Sequence, residues 1–427
     1  MSALAFSLGI TYWPRRQRSS EGPLGSWAAF DHGALRAELG HIAELGFTTV
    51  RFDVRWAELQ PTSRINTAAL RGLERALDAA HACGLQAVVS TLAGSFGGVL
   101  HLPDWALGFR LPGDAVRALR FGPPVLVMPA DQPAILTENT YRHEPVRDLY
   151  AEPEILANQR LLLHETLGNF ATHPAASGWL LGADLGRVQP THGARSVTDW
   201  WHDLVARAQN YGARMVHGAL DPTSLERRDR LRPVAAALAG APILSVPPLP
   251  PLDLEPGAYL RRLRLLHALT AGLLQAERGR ATPVIIADLG LATTTEGASG
   301  RVANAAFGKS GLITLVAEEQ QAQLIEQALT ELQRAGAGGV WLARYADPPP
   351  AQWQIAPADR SWWARSAGIV SHDGREKQAA AAVRSFATRL RNGQLATPSV
   401  PVLALDPERY WHNPAEAMRG LVADWER

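Results

Sequence analysis

Two aspartates stand at the ends of apolar runs that read as buried strands. Trp179-Leu180-Leu181-Gly182 leads to Asp184, and Val284-Ile285-Ile286-Ala287 leads to Asp288. A pair of carboxylates brought to one place suits cleavage of a glycosidic bond. One protonates the leaving oxygen while the other acts as base or nucleophile on the opposite face of the sugar. Polar residues in comparable positions extend the candidate site: Arg51, Asp53 and Arg55 in VRFDVRW, His101 in the segment after QAVVSTL, and Arg344 and Asp347 in VWLARYAD. Trp13, Trp56, Trp105, Trp362 and Trp363 fall in or near turns and are candidate sugar platforms, whereas Trp200 and Trp201 have the spacing of a helix face turned to the core.

Three other motifs carry no chemistry. His164-Glu165-Thr166-Leu167-Gly168 begins like a zinc-protease helix but has glycine where the second histidine ligand belongs. Gly308-Lys309-Ser310 imitates the end of a phosphate loop, but Ala303 occupies the position of its first glycine. Gly94-Ser95 lacks the flanking spacing of a nucleophile elbow. No metal or cofactor is expected.

Alternating strand-like and helix-like runs must position these residues. Strands are predicted at Ser7–Trp13, Thr48–Trp56, Gln86–Leu92, Gly178–Leu185, Pro233–Ala239, Ile243–Val246, Val284–Leu289 and Val340–Tyr345. Helices are predicted at Ala34–Leu45, Ala68–Cys83, Glu154–Ala171, Val197–Ala219, Tyr259–Glu277, Glu318–Ala335 and Glu376–Leu390. Eight βα units imply a (β/α)8 barrel, an α/β fold whose active sites lie at the C-terminal ends of the strands. An open doubly wound sheet would want a glycine-rich turn after the first strand, and TYWPRR is not one. The barrel is assigned to residues 1–394, with a Gly- and Pro-rich insertion at 93–151 between the third strand and third helix. Residues 395–427 form a tail expected to pack on the barrel as a short amphipathic helix.

Of the 427 residues 46% are hydrophobic and 19% charged, and the formal net charge is +1. That balance argues against nucleic acid as a partner. No apolar stretch reaches membrane-spanning length and the N-terminus has no basic signal-peptide region, so a cytoplasmic protein without membrane attachment is expected. The single cysteine, Cys83, lies in a helical pattern and reads as a structural thiol.

Five stretches, LGITYWP, GFTTVRFDVRWAELQP, HPAASGWLLGADLG, TPVIIADLGLAT and AGIVSHDGREKQAAAAVRSF, resemble the cellulase, mannanase and β-galactosidase clan of retaining glycoside hydrolases over residues 7 to 390. The resemblance implies a barrel acting on an oligo- or polysaccharide. It places Asp184 where the clan has its acid/base Glu and Asp288 where it has its nucleophilic Glu. It also places Arg51 near the nucleophile; Trp13, Trp56, His101, Trp105 and Arg344, by their own positions in or near βα loops and strand ends, are the candidates to line the sugar site.

The chain departs from the clan pattern at several of these places. Ala183 replaces an asparagine, Val246-Pro247-Pro248-Leu249 replaces a His and Tyr after the sixth strand, and Ala343 replaces a sugar-stacking tryptophan. Aspartate is one methylene shorter than glutamate, which retracts each carboxylate by ~1.5 Å. A retaining separation of about 5 to 5.5 Å would then widen to roughly 7 to 8.5 Å, within the inverting range. Two outcomes follow: a hydrolase with altered carboxylate geometry, or a non-catalytic barrel that binds carbohydrate or scaffolds a protein partner.

Overall fold

The structure is a computed structural model that describes residues 6–13, 26–92, 95–108, 135–137, 140–142, 144–188, 190, 193–250, 252–294, 299–306, 309–399 and 403–426. The middle of the expected insertion, 109–134, lies outside the described residues, as do Gly94, Gly308, the last three letters of TYWPRR and short parts of the tail.

Eight parallel strands close a barrel: β1 (Ser7–Tyr12), β2 (Thr49–Asp53), β3 (Gln86–Thr91), β4 (Ala176–Leu181), β5 (Val216–Leu220), β6 (Ile243–Ser245), β7 (Ile285–Leu289) and β8 (Gly339–Leu342), with β8 paired to β1. The helices around it include α1 (His32–Glu44), α2 (Thr67–Ala82), α3 (Pro153–Phe170), α4 (Ala194–Asn210), α5 (Pro233–Ala236), α6 (Pro256–Arg278), α7 (Glu318–Arg334) and α8 (Gln378–Arg391). The chain is therefore a (β/α)8 barrel. Local chemistry sets the helix ends: the Asp31 side chain accepts from the Ala34 amide at the start of α1, and α6 stops at Gly279, whose φ is 66°.

The fifth strand lies elsewhere than expected. Pro233–Ala239 begins with the helical turn α5, and β5 is Val216–Leu220, a segment assigned from sequence to the end of the preceding helix. Proline at the first helical position and a run of alanines favour a helix there. The strand VHGAL, with a histidine and a glycine, has little strand character of its own. His217 is buried by its place inside the barrel, and its Nδ1 lies 2.7 Å from the Ala241 carbonyl.

The interior is filled by large side chains set against glycines. Trp341 from β8 occupies the centre with Val88, Leu180, Ile243, Ile285 and Ala287, and its ring meets His217 edge-on at 6.3 Å. Gly9 and Gly178 leave room for these rings: a Cβ on Gly9 would lie 2.2 Å from Trp341, and one on Gly178 would lie 2.5 Å from His217. The barrel is a packed core there.

Two additions follow the C-terminal ends of the strands. After β3 the described residues form a small four-stranded sheet, Ser95–Phe96, Val99–His101, Ile135–Thr137 and Thr140–Arg142. After β7 an antiparallel hairpin, Gly300–Ala306 with Lys309–Leu315, appears where no element is predicted from sequence. In the tail, α9 (Pro407–His412) and α10 (Pro414–Glu426) rest on α6 and on the helical turn Pro222–Glu226. There Tyr410 donates to the Leu225 carbonyl and Trp411 to Glu277.

Candidate active site

Among the described residues three non-glycine residues have positive φ: Leu92, Asp184 and Asp288, at 68°, 59° and 61°. All three lie at C-terminal strand ends. Left-handed backbone is unfavourable for L-residues, though least so for Asp and Asn, and it clusters at functional sites. At Asp288 it has a visible consequence. Ile285 and Ala287 face the barrel interior, so strict alternation would turn Asp288 outward toward the helices. The β7–β8 register instead slips between Ile286 and Leu289, and the Asp288 side chain reaches Arg51 and Ser245.

Arg51 and Asp53 share one face of β2 with Thr49 and project at its C-terminal end. Nη2 of Arg51 donates to Asp288 Oδ1 at 2.6 Å and to Asp53 Oδ2 at 3.2 Å, while its Nε lies 3.2 Å from Asp53 Oδ1. The Ser245 hydroxyl, at the end of β6, donates to Asp288 Oδ2 at 2.5 Å. Burial draws Arg51 down, but Asp288 and Asp53 outweigh it and hold the guanidinium above its ordinary value. Asp53 behaves differently: burial, helped by repulsion from Asp288 and Asp184 and opposed by Arg51, pushes its carboxyl up to about 6.

Asp184 belongs to the same electrostatic cluster, since its charge acts on both Arg51 and Asp53. It opens the 3-10 turn Leu185–Arg187, and Arg187 Nε lies 3.3 Å from its Oδ1 and 3.6 Å from Asp221 Oδ2. Two arginines therefore each stand between two aspartates, Arg51 with Asp53 and Asp288, and Arg187 with Asp184 and Asp221. Asp184 and Asp288 keep about a tenth of their side-chain surface exposed, 9% and 11%.

The remaining predicted residues spread around this cluster. His101 is buried beside Arg55, and burial together with that positive charge keeps its imidazole well below its usual range, hence neutral. Arg55 donates to Glu58, which also accepts from Ser26 and the Trp27 amide. Arg344 is buried and donates to the Ala364 carbonyl, and Asp347 is locked to Lys377 at 2.6 Å. Trp56 presents no open ring in this arrangement, whereas Trp105 is half-buried. Trp56 is fully buried, edge-on to Trp105 at 5.2 Å, and both indole nitrogens donate to Gln60. Trp200 and Trp201 lie in the core. Trp363 is buried, and the half-buried Trp362 lies under the Arg365 guanidinium at 4.5 Å.

Trp13 belongs to a second apolar cluster that roofs part of the mouth. It packs with Val99 and Leu136 from the insertion, Leu249 from the Pro-rich loop, Ile313 from the hairpin, and Ala343 and Trp363. The close fit of insertion to hairpin depends on Gly98, whose φ is 81° and whose Cβ would lie 2.5 Å from that of Ala306.

Sequence reading missed Ser245, Arg187 and Asp221 as members of the site. Arg187 alone had a local signal, its place three residues after Asp184. No group of three or more His, Cys, Asp or Glu among the described residues is arranged to hold a metal ion, and no described helix is long and apolar enough to cross a membrane.

No protein-family model and no curated protein matches the chain. Solved structures do. GH5_18 from Streptomyces cattleya in complex with GlcNAc superposes with a TM-score of 0.72 at 18% identity, over 99% of this chain and 90% of that one. The chain shares the fold of the clan A glycoside hydrolases. A GH5_18 variant from Bifidobacterium longum subsp. longum in complex with Manb1-4GlcNAc gives 0.65 at 16%, over 93% and 80%. An exo-beta-1,4-mannosidase from an Opitutaceae bacterium gives 0.63 at 18%, over 91% and 60%. In barrels of this shape the strand ends that carry Asp184 and Asp288 form the mouth where chemistry is done.

Proposed function

We propose that the protein is a glycoside hydrolase acting at the C-terminal mouth of the barrel, with Asp184 as the acid and Asp288 as the base. The observation that carries this reading is the convergence of the two aspartates. They come from β4 and β7, each in left-handed backbone, and they enter one charged cluster. In the proposed reaction Asp184 gives its proton to the leaving oxygen. Asp288, oriented by Arg51 and Ser245, takes a proton from the water that attacks the anomeric carbon. Oligosaccharides containing β-mannosyl units are the first class to test, because similar structures hold Manb1-4GlcNAc.

A second reading is a barrel that binds carbohydrate without cleaving it. It is favoured by the arginine beside each aspartate and by the apolar roof over part of the mouth. A guanidinium has only donors, so the oxygen facing it serves as an acceptor, whereas an acid catalyst must present a proton.

A screen of aryl glycosides and β-mannosyl oligosaccharides, with wild type beside Asp184→Asn and Asp288→Asn, separates the two. Hydrolysis lost in both variants supports the first reading. Binding retained in all three proteins without turnover overturns it in favour of the second.

A further inference from the structure

Asp288 does not hold its arginine alone. The same nitrogen, Nη2 of Arg51, donates to Asp288 and to Asp53, and it has two hydrogens to give, one to each carboxylate. The contacts differ in quality: 2.6 Å to Asp288 against 3.2 Å to Asp53, with the Nε contact to Asp53 failing hydrogen-bond alignment. Three of these side chains are almost sealed from water, Arg51 at 7%, Asp53 at 4% and Asp288 at 11% exposure. Solvent therefore screens the competition weakly.

We propose that Asp53 is a positioning residue for Asp288: each carboxylate takes its own Nη2 hydrogen but both draw on the single positive charge of Arg51, so the proton on Asp53 decides how fully that charge neutralises Asp288. With Asp53 protonated, one positive charge faces one carboxylate and Arg51 belongs to Asp288. With Asp53 ionised, Arg51 is shared between two carboxylates, Asp288 is less fully neutralised, and it is the stronger base. Its role as base rests on the function proposed above, whereas the competition itself does not.

Every charged or hydrogen-bonding group acting on Asp53 fits this scheme. Arg51 from β2 stabilises its ionised form, and Ser90 on β3 lies beside it in the sheet. Asp288 from β7 and Asp184 from β4 oppose it, and burial opposes it most. The balance puts the switch at about 6, where a change of one pH unit alters the charge of the cluster.

The test has two arms. In the first, aspartate is labelled with carbon-13 at Cγ, and the Asp53 and Asp288 signals are assigned by their loss in Asp53→Asn and Asp288→Asn. The Asp288 signal of the wild type is expected to shift with an inflection near pH 6 that vanishes in Asp53→Asn and survives in Asp53→Glu. A wild-type Asp288 signal that runs flat from pH 5 to 7, or one that keeps its inflection in Asp53→Asn, overturns the proposal. In the second arm, kcat of a hydrolysed glycoside is expected to rise up to about tenfold from pH 5 to 7, following the ionised fraction of one group. That limb should be absent from Asp53→Asn, with KM unchanged. A purely structural role for Asp53 would lower the rate at every pH and leave the limb in place, which also overturns the proposal. If no glycoside is hydrolysed, the hydrolase reading fails while the carboxyl titration still decides this one.

Discussion

Arg51 on β2 and Asp288 on β7 meet across the barrel mouth at 2.6 Å, although they are 237 positions apart in the chain. Their contact depends on the left-handed turn at Asp288, which reverses the direction that alternation would give its side chain. Under the proposed function, Asp288→Asn is expected to lower turnover by about 10³-fold or more, because the reacting water would lose its base. Arg51→Met should act on the fold. It would leave Asp53 and Asp288 buried together without a counter-charge, at a cost of about 3–5 kcal/mol. A turnover assay of Asp288→Asn checks the first expectation and urea denaturation of both variants beside wild type the second, with Asp288→Asn the less destabilised because Asp53 still partners Arg51.

Asp53 makes stability depend on pH. Its carboxyl is raised from 3.8 in the unfolded chain to about 6 in the fold, so the native state binds the proton more tightly. Its contribution is therefore fully present below pH 3.8 and is lost as pH rises through about 6. A shift of that size is worth about 3 kcal/mol. Asp53→Asn, which cannot titrate, should remove this loss, so that the difference in unfolding free energy between variant and wild type grows between pH 4 and pH 7. A constant difference across that range would contradict it.

The barrel was legible because its signals are local and repeated. Helices such as α2 and α7 show apolar periodicity, and the apolar runs of β4 and β7 end in single acids. The fifth strand was illegible for the complementary reason. VHGAL becomes a strand through its neighbours β4 and β6, and the His217 ring fits because Gly178 beside it has no side chain. The site was read in part. Asp184, Asp288, Arg51 and Asp53 are all in the cluster, but Ser245 and Asp221 carry no mark in the sequence that separates them from other strand-end residues. Trp56 packs inward although it falls near a βα loop, because an aromatic there looks the same in sequence whether its ring packs inward or faces a ligand.

Buried histidines should make the fold sensitive to acid. Burial lowers His267 from 6.5 to about 4, and neither ring nitrogen has a hydrogen-bond partner. Its folded state holds off the proton, so the stability it contributes is present above pH 6.5 and is lost as pH falls toward 4. The amount is about 3 kcal/mol. His267→Leu is expected to match or exceed wild type at pH 7 and to hold its melting temperature further into acid. Equal losses in both proteins between pH 6.5 and 4 would rule out His267 as the cause.

Gly9 should be intolerant of even a methyl group. Its Cβ would stand 2.2 Å from the Trp341 ring at the centre of the barrel, where the Trp341 indole also donates to Ser7 Oγ. Gly9→Ala therefore forces the ring to shift, at a cost of about 1–3 kcal/mol. Gly9→Ala with Trp341→Phe should recover part of that loss, measured as a non-additive term in a double-mutant cycle.

The stereochemistry of any hydrolysis follows from the length of the acids. Under the proposed function, aspartate at both positions, one methylene shorter than the glutamates of the clan it resembles, would draw the carboxylates apart and leave room for a water between Asp288 and the anomeric carbon. Arg51 and Ser245 both grip Asp288 from the barrel side, which further opposes an advance toward the sugar to form a covalent bond. Inversion is therefore the expected outcome, with Asp288 as base and Asp184 as acid. Proton NMR of the first-formed product anomer reads it directly, and a β-mannoside should release α-mannose before mutarotation. A retained anomer, or a glycosyl-aspartate trapped at Asp288 with a fluorosugar, would show that the backbone brings the shorter acid close enough to act as nucleophile. Asp288→Glu supplies the complementary check: restoring the methylene should shift the balance toward retention if reach is what sets the mechanism.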